Sequence, residues 1–488
     1  MFRMKYSINI ILICLLTGTV VGQDSAYTNG GIKDEIGYSF CTNGSDGYVL
    51  TGSSRSIGNG SEEMWVVNIT DQGTLIWEKS FGGVHHDIPR SIERTVDGGY
   101  IIYGSRWDGG NYRQDGYLLK LNSSGNKIWA QYHGGTNVDD GIGMEETSDG
   151  GFILSGYTNS WGSLGDYHVI KTDLNGIEQW STNIGSSVKD ISFDVIETNE
   201  GDFLVAGLKS GFFEYSKFDF YEAHSDIMMY KLDVNGNEKW SKLYGGTQNE
   251  LVAQTLESPD GGYYVIGSTQ SLGAGSFDIY LMKLDTGGTI EWEKTYGGNG
   301  FDYGASIAIS SDNYLFITGS SNVDTTNNTT DVMTIKTDLD GNEIWTVFSG
   351  GTGSEYGKCV RATPDGGCAV LGYTNSIGAG LNDFYFLKFS ANGELILFSA
   401  KTTGLDDAEV NLFPNPTVDK INISINNNFL CTDFIYDLID VSGRTVYHKE
   451  ETASQVELDV THLAPGVYFY RITSDCNTGV LSGKFIVH

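Results

Sequence analysis

Between residues 30 and 400, apolar and polar positions alternate with period two in short runs, and clusters of Gly, Asp, Asn and Pro cut the runs apart. The runs come in fours, and the set of four is repeated seven times at a period of roughly 52 residues, the signature of a repeat array. Copy five shows the set: strand A over Ala253 to Ser258, strand B over Gly262 to Gly267, strand C over Ile279 to Leu284 and strand D over Ile290 to Tyr296. An Asp-Gly-Gly turn such as Asp260-Gly261-Gly262 joins A to B, where Gly accepts positive φ and Asp can bond the following amides. Strand B is apolar at almost every position (Tyr263-Tyr264-Val265-Ile266), so both of its faces are expected to be buried between neighbouring sheets. A tryptophan closes six copies (Trp77, Trp129, Trp180, Trp240, Trp292 and Trp345) and is expected to pack between adjacent sheets. No helical stripe of period 3.6 interrupts the pattern.

Seven twisted four-stranded sheets around an axis give the predicted fold class: all-β, a seven-bladed β-propeller over residues 23–400, followed by a small C-terminal β-sandwich. Copy seven has Leu397 where the closing Trp would stand, whereas the chain opens with Tyr27-Thr28-Asn29-Gly30-Gly31, the ending of a strand D. The N-terminus is therefore expected to complete blade seven and close the ring; an open-ended solenoid is the alternative.

Residues 1–22 have the layout of a secretory signal: Arg3 and Lys5, an apolar stretch from Ile10 to Leu16, and a small-residue site at Val20-Val21-Gly22. The apolar stretch is too short for a spanning helix, and no other segment is long enough to cross a bilayer, so no transmembrane segment is expected. Net charge is -32, and loss of Arg3 and Lys5 with the leader makes it -34. Such a chain repels phosphate, which excludes nucleic acid as a general electrostatic partner and argues against acidic substrates. Cys359 and Cys368 flank the A–B turn of copy seven and are expected to bridge in an oxidising compartment. Cys431 and Cys476 form a second candidate pair, which leaves Cys41 as a small buried apolar residue.

The repeat stops near residue 400. A polar linker, residues 401–409, leads to a tail, residues 410–488, that opens with Val410-Asn411-Leu412-Phe413-Pro414-Asn415-Pro416 and holds half of the chain's six prolines. Its landmarks stand in order: LFPNP, then YDLIDVSGR from Tyr436, then LDVTHLAPGVYFYRI from Leu458, then GKFIV near the end. This series resembles the C-terminal sorting domain (type A-like) of type IX secretion cargo in Bacteroidota. The resemblance implies export through periplasm and outer membrane, the secretion machinery as a partner, and a secreted or outer-surface location. The propeller repeats are similar to those of bacterial secreted proteins, a resemblance that implies no particular activity.

Two carboxylates recur in every copy. One follows the leading Gly-Gly (or Gly-Ser): Asp34, Asp87, Asp139, Asp190, Glu250, Asp302 and Glu355; the other precedes strand C: Glu63, Asp115, Asp166, Asp226, Asp278, Asp331 and Asp383. Both sets are expected on the face shared by the D–A and B–C loops, where they could hold Ca2+ or accept backbone amides that pin the loops. Repetition in all seven copies favours the second use, and no cofactor is required. What breaks the repeat is more informative about a ligand. The B–C loop of copy four is enlarged and carries Phe212, Phe213, Tyr215, Phe218, Phe220 and Tyr221, and Trp107 and Trp161 occupy the B–C loops of copies two and three near Arg106 and Arg113. Aromatics of this density suit carbohydrate stacking or protein docking, or else anchor their own loops. His85, His86 and His133 near Asp87 match no local metal motif, Asp338 to Glu343 lacks the Gly of a calcium loop, and no nucleophile elbow or metalloprotease signature is present. The reading is an exported binding protein for extracellular glycan or protein, with no catalytic residue assigned. The rivals are a carbohydrate-active hydrolase or lyase working in the axial cleft and a structural adhesin.

Overall fold

The computed structural model describes the chain except for residues 1–18, 22–25, 46, 59–60, 108–113, 162–164, 187–188, 210–224, 325–328, 379, 397, 399–408, 414, 416, 427–433, 441–443, 452–454 and 475–476. Two compact units are present, one of residues 1–41, 50–66 and 79–397, the other of residues 42–49, 67–78 and 398–488. Strands A to D of each repeat form one antiparallel sheet in the order A-B-C-D, and there are seven such sheets. In copy five the strands are Glu250–Glu257, Tyr263–Thr269, Asp278–Leu284 and Ile290–Tyr296. Blade seven takes its fourth strand from the N-terminus: Tyr27, Thr28 and Asn29 pair antiparallel with Phe386, Tyr385 and Phe384. The ring closes as the sequence indicates, and the fold is a seven-bladed propeller. Of the expected leader, only Thr19–Val21 is described, as a fifth strand parallel to Val347, Phe348 and Ser349 in blade six.

Strand A begins in successive blades at Glu35, Asp87, Asp139, Asp190, Glu250, Asp302 and Glu355. In blades two to seven it carries a β-bulge after its third residue, as at Val252/Gln254 and Gly357/Cys359. The bulge turns a carbonyl against strand B, and the residue it meets is a glycine in each case, followed by Ser, Tyr or, in blade four, Leu208. A Cβ on Gly156, Gly267 or Gly372 would lie 1.8 Å from the carbonyl oxygen of Asp140, Leu251 or Tyr356. That glycine is in the repeat because no side chain fits. Pro89 stands at the bulge of blade two, where strand pairing is already interrupted.

Five of the closing tryptophans pack as expected, against the C–D turn of the following blade. Trp129, Trp180, Trp240, Trp292 and Trp345 lie against Gly176, Gly236, Gly288, Gly341 and Gly393, all at positive φ. Indole N–H groups complete the contact in two places, Trp180 donating to the Val234 carbonyl (3.1 Å) and Trp345 to that of Ala391 (3.0 Å).

The Asp of the A–B turn has a partner that the repeat also supplies. Lys120, Lys171 and Lys283, buried on strand C, reach Asp97, Asp149 and Asp260 at 2.7 to 3.0 Å. Hydrogen bonds from Ser258 and the Gly262 amide and the Lys283 ammonium outweigh burial and hold Asp260 at about 2, with Asp97 and Asp149 also near 2. A carboxylate depressed on folding contributes stability above its unfolded value, near 3.8 for Asp260, and loses it as pH falls through the folded one. Denaturant midpoints should therefore drop between pH 4 and 2, and Asp260→Asn should flatten part of that drop, by about 0.5 kcal/mol after solvent screening.

The cysteine expectations are corrected. Cys359 and Cys368 are free. From Cys359 to the turn the ladder is regular, with Cys359 opposite Leu371 and Cys368 opposite Ala362, so the two cysteines stand three ladder steps apart, roughly 10 Å and beyond the span of a disulfide. Cys41 is free and half-buried rather than buried. Cys431 and Cys476 lie outside the described residues.

The tail is a two-layer β-sandwich. One sheet joins Glu409–Phe413, Lys420–Asn426 and Gln455–Asp459, and the other joins Thr445–Glu451, Phe434–Asp440, Gly466–Ser474 and Asn477–Val487. Ile421, Ile423, Tyr436, Leu438, Leu458 and Phe485 form its core. The first strand begins at Glu409, which the sequence reading had placed in the linker.

Candidate functional site

The D–A and B–C loops of adjacent blades are stitched by backbone bonds. Strand A's first amide donates to the preceding blade's B–C loop, as in Glu35 to Asn382 (2.8 Å), Asp190 to Gly165 (3.0 Å) and Asp302 to Phe277 (2.8 Å). The first carboxylate of each blade then folds back on its own D–A loop. It accepts the amide four residues earlier: Gly83 to Asp87 (2.6 Å), Gly135 to Asp139 (2.5 Å), Ser186 to Asp190 (2.5 Å), Gly246 to Glu250 (2.7 Å), Gly298 to Asp302 (2.7 Å) and Gly351 to Glu355 (2.8 Å). In blade one this is Glu35, bonded by Gly31 at 2.6 Å, and not Asp34. The spacing from Gly31 to Glu35 equals that from Gly83 to Asp87, so Asp34 stands one residue short of the repeated position and instead meets Asn382 and Arg55. Strand-B hydroxyls complete five of these carboxylates (Ser54, Thr158, Thr269, Ser321 and Thr374), and Arg106 stands 3.5 Å from Asp87.

Trp161 is 42% exposed on this face, its ring 4.9 Å from that of buried His168. Trp107 is half-buried, donates to Gln114 (2.8 Å) and lies 6.2 Å from the His86 ring. Phe212, Phe213, Tyr215, Phe218, Phe220, Tyr221 and Arg113 lie outside the described residues. Ile32, Val84, Leu272, Phe301 and Leu381 are exposed on loops of the same face. His133 is buried in strand D of blade two, and burial lowers it to about 4. His85, His86, His133 and Asp87 do not gather as a zinc site, since among the described residues no three His, Cys, Asp or Glu side chains form a metal-holding group.

Strand A also breaks the repeat along the axis, at positions the sequence reading did not single out. Its second, fourth and seventh residues are all half-buried in blades one, five and seven. Near the loop face these positions bring together tyrosines and cations. Tyr356 stacks on Tyr373 (4.8 Å), the Arg90 guanidinium lies 5.0 Å from the Tyr38 ring, and Lys358 Nζ lies 5.7 Å from that of Tyr373. Burial, then the Arg90 charge, brings Lys358 down to about 8. Towards the A–B turns the character inverts: burial raises Glu93 to about 7, Glu145 to about 8 and Asp194 to about 6. Each also binds the next blade, Glu93 accepting from the Glu146 amide (2.9 Å), Glu145 from that of Glu197, and Asp194 from Thr255 (2.7 Å). Arg361 is the cation of this end, its electrostatic neighbours being Cys359, Glu93, Cys41 and Asp194. Comparing strand A column by column across the copies would have revealed both groups.

Residues 411–488 match the family of the secretion system C-terminal sorting domain. The tail is a sorting domain. With that sorting domain the chain is type IX cargo, delivered to the cell surface or the surrounding medium, and the secretion machinery is its partner. No curated protein matches the sequence. Solved structures that resemble the chain include PorZ, a surface component of the type IX system of Porphyromonas gingivalis (12% identity, 92% of this chain and 65% of that one, TM-score 0.37). Others are puromycin hydrolase (10%, 83% and 60%, TM-score 0.45) and the propeller domain of the Trilobed protease from Pyrococcus furiosus (9%, 78% and 97%, TM-score 0.41). The chain spans less than two thirds of PorZ and of puromycin hydrolase. Among the described residues no helix is long and apolar enough to cross a membrane.

Proposed function

We propose that this exported chain is a binding protein whose propeller takes an extracellular glycan or protein on the D–A/B–C face. The observation that carries the reading is Trp161, a large ring left 42% exposed beside a face that also exposes Ile32, Val84, Leu272, Phe301 and Leu381. Apolar groups clustered on rigid loops suit recognition, and an indole matches the C–H face of a sugar ring. Trp107 and the aromatics of residues 212–221 belong to the same loop set and would extend the contact. A glycan array probed with the full chain tests this. Selective binding is expected, and Trp161→Ala should weaken the best ligand roughly tenfold or more. Unchanged affinity in that variant would remove Trp161 from the site, and a blank array would favour a protein partner.

A second reading, glycan cleavage in the axial cleft, draws support from Glu93, Glu145 and Asp194, carboxyls whose raised values suit proton transfer near neutral pH. Recovery of the array's ligands uncut after incubation would argue against it.

A further inference from the structure

The second carboxylate of one blade meets the first carboxylate of the next beneath the leading glycine of the D–A loop. At the junction of blades five and six, the site of a Cβ on Gly297 lies 2.3 Å from Asp302 Oδ2 and 2.8 Å from Asp278 Oδ1. The two oxygens are thus no more than about 5.1 Å apart. Between blades six and seven, the Cβ site of Gly350 lies 2.0 Å from Asp331 Oδ1 and 2.5 Å from Glu355 Oε2, a separation of at most about 4.5 Å. Between blades three and four, Asp166 Oδ1 lies 1.9 Å from the Cβ site of Gly185, and Asp190 sits on the adjoining Ser186 amide. Asp190 is 3% exposed, and its Oδ1 has no hydrogen-bond partner. Asp278, Asp302 and Glu355 are equally buried.

Buried like charges at this distance are costly unless a cation or a proton lies between them. One junction shows what such a cation does. Between blades one and two, where Glu63 and Asp87 flank Gly82, the Arg106 guanidinium stands against Asp87. No lysine or arginine forms an ion pair with Asp166, Asp190, Asp278, Asp302, Asp331 or Glu355 among the described residues. A separation of up to about 5 Å between opposed oxygens lets one Ca2+ reach both at roughly 2.4 Å, and Ca2+ accepts such irregular shells more readily than Mg2+, which demands a near-ideal octahedron. Charge assists too, because a chain of net charge -32 concentrates divalent cations.

We infer that Ca2+ binds at the blade junctions, bridging Asp166 with Asp190, Asp278 with Asp302, and Asp331 with Glu355. Each site supplies two carboxylates, one from each blade, and loop carbonyls and water complete the shell. The ions act as rivets between blades and make the ring's stability respond to extracellular calcium. The inference is independent of what the loop face binds.

The test uses the full chain stripped with EGTA. Calcium is expected to raise the melting temperature by about 5 °C or more, magnesium far less, and equilibrium dialysis should find about three or more ions per chain. Terbium should bind with luminescence sensitised by nearby tyrosines, and calcium should displace it. Asp278→Asn with Asp302→Asn should lower the ion count by one while the other sites still fill. If that variant instead melts higher than the parent in EGTA and calcium shifts neither protein, the pairs share a proton and the inference is wrong. A metal count of zero in the folded parent, with melting indifferent to calcium, overturns it as well.

Discussion

Gly267→Ala is expected to destabilise the propeller by about 3 kcal/mol or more, read as a lower denaturant midpoint at unchanged slope. The added Cβ would lie 1.8 Å from the Leu251 carbonyl oxygen and 3.0 Å from the Cα of Val252. Both are backbone atoms, so no rotamer change relieves the overlap. The bulge must flatten, and with it the offset that turns Leu251, Ala253 and Leu256 towards the axis. Gly150→Ala is the control: its φ is +80, yet nothing lies within 4 Å of the new Cβ. It should lose only the left-handed penalty, about 1 kcal/mol. Equal losses at the two sites would show that strand-B glycines serve flexibility, not clearance.

Removing the closing strand should have the other large effect. A chain beginning at Gly30, compared with one beginning at residue 23, loses the pairing of Tyr27 to Asn29 with Phe384 to Phe386. It also loses Ala26, which packs on the core formed by Phe316, Val370 and Leu387. The loss is expected to be about 3–5 kcal/mol, from unmade ladder bonds and exposed apolar surface. The freed edge of Asp383–Phe389 is a template for another chain, so size-exclusion chromatography should show dimers or aggregates. Identical melting and a monomeric profile would mean that blade seven stands as a three-stranded sheet.

The fold was legible because each blade repeats its instructions, and an error in one copy is corrected by six others. The tryptophans were assigned to blade junctions from spacing, and Trp129 against Gly176 and Trp292 against Gly341 show the contact. What depended on one copy fared worse. Asp34 lies one residue short of the repeated acid: the spacing from Gly31 to Glu35 equals that from Gly83 to Asp87, and the Gly31 amide bonds Glu35. The Cys359–Cys368 bridge fails on register: the A–B turn pairs Ala362 with Cys368 and Cys359 with Leu371, three steps apart, which flanking a turn does not reveal. Tyr38, Arg90 and Lys358 went unremarked because they come from three blades, and only ring closure brings blade seven beside blade one.

Trp129, Trp180, Trp240, Trp292 and Trp345 all face forward, onto the turn of the following blade. Blades three to six therefore each carry one donating and one receiving surface, and the two differ. Subunits joined in this way would grow into an endless filament unless the rotation per step closes a circle. Here the units are covalently linked, and seven steps return to the start. Blade number is thus a property of one interface repeated, so widening or narrowing the wedge at a Trp–Gly contact would change how many copies a ring can hold.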